Sequence, residues 1–316
     1  MAWSDYLSDF QQKDSFGLDI GYETLKVVQL KKTGANFRLI GHGIYASLRQ
    51  PFDRNGVKDK KKVAEIIKNS ALNARIKARL VVSALPESLV FTKIIRLPKT
   101  NPKELSTAVS LETASFIPVE PDQVYLDYQI VGEIGQNYEV LVVATPKNLV
   151  LDYINTIKLA GFKLACLETK PLANLRALIN KDQKETVLIL DLGAETSSLT
   201  VCDAQGIKFT TTFDVGGNVF RTKTISGIQA KEALNTIVSE IASGIKYHQG
   251  HQEGVKISKI LLSGGGASLE GLIKFIQNEI GLKTEYGDPW QKINNLPPDK
   301  NRFQFTTAIG LAMREL

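Results

Sequence analysis

"FGLDIGYETLKVV", residues 16–28, and "VLILDLGAETSSLTV", residues 187–201, decide how this chain is read. Each is an apolar run, an acid and a glycine, then a second apolar run, the pattern of two strands around a tight turn. One Asp-x-Gly turn says little, because Asp and Gly fill turns of every kind. Two copies say more. Leu18–Thr24 and Leu190–Thr196 agree at five of seven positions, at an offset of 172 residues. Such a repeat implies two similar α/β units in one chain. At each turn, backbone N–H groups can hold phosphate oxygens, and Gly21 and Gly193 let an anion approach without a Cβ in the way. Asp19 and Asp191 can order a hydrated magnesium ion through its water.

The surroundings of the two copies also match. After the first come strand-like runs to about residue 48, a helix near 57–75 with Val63, Ile66, Ile67 and Ala71 at helical spacing, and a buried strand at 79–85. Residues 86–165 read as a separate module. It has a strand, a helix with Asn101 as N-cap and Pro102 at its first position, two strands around "IGQN", and a helix ended by Gly161. After the second copy, a helix over 229–249 carries Leu234, Ile237, Ile241 and Ile245 on one face. "ILLSGGGASLEGL" (260–272) then sets Gly264, Gly265 and Gly266 between a strand and a helix start, where a base or a phosphate can come close. "FTTAIGLAMREL" (305–316) is the last helix.

Composition excludes several classes. The chain has 316 residues, 43% hydrophobic and 23% charged, which is globular and enough for about two domains. No run approaches the roughly 18 apolar residues of a membrane span, and the start has no secretory pattern. Two cysteines and three histidines make a disulfide framework or zinc site unlooked for, and a cytoplasmic chain is expected. Much of the +6 net charge lies in "KDKKK" (58–62), read as a solvated helix end. The leader, 1–15, puts Trp3, Leu7 and Phe10 on one helical face. With Asp5 and Asp9 there and no cation before Lys13, it is expected to rest on protein rather than on anionic lipid.

This set of motifs resembles the actin-like ATPase superfamily and, within it, the PilM family of type IV pilus assembly. The resemblance implies two ribonuclease-H-like domains facing a nucleotide cleft, with a small inserted subdomain and a reduced second-domain lid. It implies a first domain at 16–85, the inserted subdomain at 86–165, a second domain at 166–300 and a closing helix at 301–316 on the first domain. ATP and Mg2+ are the implied cofactors. Asp19, Gly21, Thr24 and Lys26 match the first phosphate hairpin; Asp191, Gly193 and Thr196 match the second; Gly216 and Gly217 match the paired glycines; Gly264, Gly265 and Gly266 match the adenosine loop. The implied partner is the N-terminal cytoplasmic tail of a PilN-like inner-membrane protein, with self-association besides and no nucleic acid, and the location is cytoplasmic and peripheral to the inner membrane. No residue is marked as catalytic, so the expected activity is at most that of a slow ATPase. Glu23 and Glu195 sit at the hairpin tips and are expected to face solvent.

Three alternatives remain on the same motifs. A small-molecule kinase needs a general base and substrate-gripping loops, and no acid or His stands out for that role. A nuclease needs several acids clustered on one unit, whereas Asp19 and Asp191 belong to different units. A scaffold that keeps the fold without its nucleotide needs neither.

Overall fold

A computed structural model describes residues 14–46, 52–53, 56–220, 228–251, 255–295 and 302–316. The amphipathic face of the leader, and the stretch 221–227 where the lid was expected to be reduced, lie outside them.

In chain order the structure runs β1 (Ser15–Ile20), β2 (Thr24–Thr33), β3 (Asn36–Ala46), β4 (Phe52–Asp53), β5 (Gly56–Val57), α1 (Lys60–Asn73) and β6 (Leu80–Leu85). It continues with β7 (Phe91–Pro98), α2 (Pro102–Ala114), β8 (Val124–Ile134), β9 (Asn137–Pro146), α3 (Lys147–Leu159), β10 (Lys163–Thr169) and α4 (Lys170–Leu178). Then come β11 (Thr186–Leu192), β12 (Ser197–Asp203), β13 (Gly206–Phe213), α5 (Ile228–His251), β14 (Ile257–Ser263), α6 (Leu272–Ile280), β15 (Lys283–Tyr286), β16 (Ile293–Asn294) and α7 (Thr306–Ala312).

The chain divides into two compact units. Unit 1 is Met1–Pro86, Leu151–Leu178 and Asp288–Leu316; unit 2 is Glu87–Val150 and Ile179–Gly287. The sequence-based boundary at 165/166 falls inside β10, which pairs with β6 in unit 1. Gly161 marks the turn before that strand, but only the pairing shows which unit the strand joins.

The repeat extends well beyond the turns. In unit 1 the order β3-β2-β1-β6-β10 holds β1 antiparallel to β2 and parallel to β6. Unit 2 repeats it as β13-β12-β11-β14-β15, with β11 antiparallel to β12 and parallel to β14. The central strands have no edge exposed to water, so β11 is buried at every residue and β1 at all but Ser15. Unit 2 also carries a three-stranded antiparallel sheet, β7-β9-β8, whose core is Ile95, Leu97, Val140 and Val142 under Leu105 and Val109 of α2. Asn101 caps α2 by accepting from the N–H groups of Lys103 and Glu104, with Pro102 at the first turn.

In unit 1, α7 lies against β1 and α4 at backbone distance. A Cβ on Gly17 would stand 2.1 Å from the Ala308 carbonyl oxygen, and one on Gly310 would stand 1.9 Å from that of Ala173. Glu168 locks this seam. Arg176 donates to both of its carboxylate oxygens at 2.7 and 2.8 Å and to the Gly310 carbonyl at 2.6 Å, while Arg314 donates to Glu168 Oε2 at 2.6 Å. Among the described residues no helix is long and apolar enough to cross a membrane.

Candidate functional site

The two Asp-x-Gly turns have the same geometry. Gly21 N–H donates to the Thr24 carbonyl at 3.0 Å, and Gly193 N–H to the Thr196 carbonyl at 3.1 Å. In each copy a Cβ on the glycine would press on that same carbonyl oxygen, at 2.9 and 2.6 Å. The residue at this position must be glycine for the turn itself.

Strand register then makes the copies differ. Asp19 faces Lys26 across β1–β2, and Asp191 faces Ser198 across β11–β12. In unit 1, Lys26 Nζ stands 3.5 Å from Asp19 Oδ2 and donates to Thr24 Oγ1 at 2.9 Å. A second cation comes from the first residue of α4: Lys170 Nζ is 3.1 Å from Asp19 Oδ1. Burial alone would raise the Asp19 pKa, but the ammoniums of Lys170 and then Lys26 outweigh it and hold the carboxyl below its ordinary 3.8. Tyr153 of α3 is fully buried near this carboxylate; its hydroxyl has no hydrogen-bond partner among the described residues. Burial, reinforced by Asp19, pushes that phenol far up and keeps it protonated. Sequence reasoning missed both Lys170 and Tyr153.

A lowered pKa on Asp19 has a sign for stability. The charged form is favoured in the folded state, so its contribution is complete above the unfolded value and is lost as pH falls through the folded one. In urea unfolding from pH 7 downward, the gap between the wild type and Asp19→Asn should stay constant to about pH 4 and shrink below it. A gap that does not change on further acidification would contradict this ion-pair assignment.

In unit 2, three segments close on one another. Gly217 N–H donates to the Gly193 carbonyl at 2.8 Å, and Asn218 N–H to that of Ala194 at 2.9 Å. Asn218 Nδ2 donates to Glu195 Oε1 at 2.6 Å, so Glu195 fastens the hairpin tip to the 216–218 turn instead of facing solvent as expected. Asp191 Oδ1 accepts from Ser263 Oγ at 2.7 Å. The glycines are largely consumed by these contacts. A Cβ on Gly216 would meet the Ala194 carbonyl oxygen at 2.4 Å, one on Gly217 the Gly266 Cα at 2.9 Å, and one on Gly264 the Leu192 carbonyl oxygen at 2.4 Å. Gly264 also has φ of +82°, which favours glycine. Only Gly265 of the loop opens onto free space. The loop leads into a short 3-10 turn, and α6 starts later, at Leu272.

The donors at Asp19 do not suit magnesium. Mg2+ wants six oxygens at about 2.0–2.1 Å, mostly water, anchored by carboxylates. Here each carboxylate oxygen already faces an ammonium. Among the described residues no group of three or more His, Cys, Asp or Glu could hold a metal.

Comparison with known proteins adds the family. The profile described as type IV pilus assembly protein PilM matches residues 17–236 and 232–316. The chain belongs to the PilM family. It is similar in fold to the chain of a solved PilM–PilN type IV pilus biogenesis complex, at 23% identity and TM-score 0.84, over 96% of this chain and 98% of that one. It is also similar to a Bacteroides thetaiotaomicron protein with an actin-like ATPase fold and unknown function, at 7% identity and TM-score 0.53, over 96% of both. The cell division protein FtsA of Neisseria meningitidis serogroup B is 22% identical over 267 residues, 64% of this chain. The chain spans 64% of the length of that relative. The fold is actin-like.

This PilM-family chain has one more feature in unit 2. A groove of about 440 Å³ runs between β7 and β13. Each is the edge strand of its own sheet. Phe91, Lys93, Phe116, Thr211 and Phe213 are among its lining residues, and Lys93 Nζ lies 4.6 Å from the centre of the Phe116 ring.

Proposed function

We propose that this chain is a cytoplasmic, ATP-binding scaffold of type IV pilus assembly that docks the N-terminal cytoplasmic tail of a PilN-like inner-membrane protein, and so reaches the membrane through its partner. The observation that carries this is the family match along nearly the whole chain, on a fold whose two Asp-x-Gly turns have equal geometry. ATP is the ligand that suits the hairpin residues Asp19, Gly21, Thr24, Lys26, Gly193 and Thr196 and the loop around Gly265. The tail is supported by the likeness to a PilM–PilN complex. The groove between β7 and β13 suits an extended segment, because two edge strands can offer backbone hydrogen bonds while the phenylalanines hold apolar side chains.

The test is fluorescence polarisation of a labelled peptide carrying the partner's N-terminal cytoplasmic tail, with and without ATP. Saturable binding at about micromolar Kd is expected, weakened by about tenfold or more in the double variant Lys93→Glu, Phe116→Ala. Tail binding that ignores this variant would place docking elsewhere and leave the scaffold reading intact. A tail that fails to bind at about millimolar concentration would remove the docking reading.

A further inference from the structure

Asp19 is the residue from which a nucleotide's metal would be hung, and it is already engaged by lysines on both oxygens. Its side chain is 5% exposed, that of Lys26 9% and that of Lys170 21%. Water therefore does little to screen the group. Two ammoniums on one carboxylate, in a place this dry, leave the turn suited to an anion and hostile to a divalent cation. We infer that Lys170, with Lys26, takes the place of the metal ion at the β1–β2 turn and neutralises bound phosphate directly, so that the chain binds ATP without magnesium. The inference rests on the ATP reading above and specifies how that site handles charge.

Three observations on unit 1 converge here. Lys170 is the first residue of α4 and follows the last residue of β10, so the strand pairing with β6 fixes where its backbone sits. Lys26 is held in place by Thr24 Oγ1 as well as by Asp19, which aims its ammonium along the turn. The Tyr153 hydroxyl, fully buried and without a hydrogen-bond partner among the described residues, is a neutral donor for an incoming oxygen. Asp19 is then the hinge of the charge arrangement: it holds two ammoniums ready, and phosphate oxygens draw them partly away. A lysine supplies a point charge to phosphate with no demand for octahedral geometry. It also stays in place when free magnesium is scarce.

Calorimetric titration of ATP into the full chain, once in EDTA and once in excess magnesium chloride, tests this. The two dissociation constants are expected to agree within about threefold. Lys170→Gln should weaken the value in EDTA by about tenfold or more, and Lys170→Arg, which keeps the charge, should restore most of it. Melting curves of both variants establish that they are folded, and the wild-type comparison needs no variant. Binding that appears only with magnesium overturns the inference and leaves the ATP reading standing. Binding in EDTA that is indifferent to Lys170→Gln overturns the role of Lys170. Tripolyphosphate, titrated in the same two buffers, separates phosphate from base. If it binds in EDTA and ATP does not, the anion site holds and the nucleotide reading fails. If neither binds in either buffer, both fall.

Discussion

Gly310→Ala is expected to destabilise the protein by about 3 kcal/mol or more in urea unfolding. Helix propensity alone predicts the opposite sign, since replacing a helical glycine by alanine gains about 1 kcal/mol where nothing obstructs it. Here the new Cβ would stand 1.9 Å from the Ala173 carbonyl oxygen, 2.5 Å from its carbon and 2.9 Å from its Cα. These are backbone atoms of α4, so no side chain can rotate out of the way. Nor can α7 retreat, because on its other side the Ala308 carbonyl would stand only 2.1 Å from a Cβ on Gly17 of β1. All seven residues of α7 are buried, so any separation of the helices opens the interior of unit 1. An unchanged or raised melting temperature would mean that α7 is not seated on α4 in this way.

Glu168→Ala should cost nearly as much, about 3 kcal/mol. The carboxylate is 3% exposed and serves two guanidiniums. Arg176 grips it with two parallel hydrogen bonds, the geometry that makes such pairs strong. Removing the carboxylate leaves two cations close together with no counter-charge between them. Their own side chains are 28% and 37% exposed, and this partial wetting places the cost at the lower end of the range for a broken buried pair. Arg314→Ala should cost less, about 1 kcal/mol, since Arg176 still satisfies the acid. A Glu168→Ala loss under about 1 kcal/mol would show that water, not the acid, neutralises these arginines.

What the sequence made legible was local. The twin turns could be found because acid, glycine and flanking strands lie within seven residues, and Lys26 is reachable because hairpin register puts it opposite Asp19. Lys170 could not be found this way: it reaches Asp19 only after β10 has paired with β6 across the sheet. The same limit hid Glu195 and Asn218, which look like unrelated surface residues until the 216–218 turn folds back on the hairpin. The glycines were legible as special and partly misread as to why. Gly216, Gly217 and Gly264 are glycines because their own chain comes too close, whereas Gly265 alone faces open space. Alternation and capping identified α1, α2 and the main strands well, because burial on one face and an N-cap leave marks on single residues.

Unit 1 is assembled from three separate stretches of chain, and its helix α7 is drawn from residues 306–312. During synthesis the ribosome delivers all of unit 2 before that helix appears. Unit 2 can therefore close while still tethered, but β1 waits with its Gly17 side, the one that α7 will cover, still bare. The nascent protein thus passes through a stage in which one half is finished and the other shows a sticky sheet, the kind of surface that chaperones hold and that neighbouring chains on a polysome can seize.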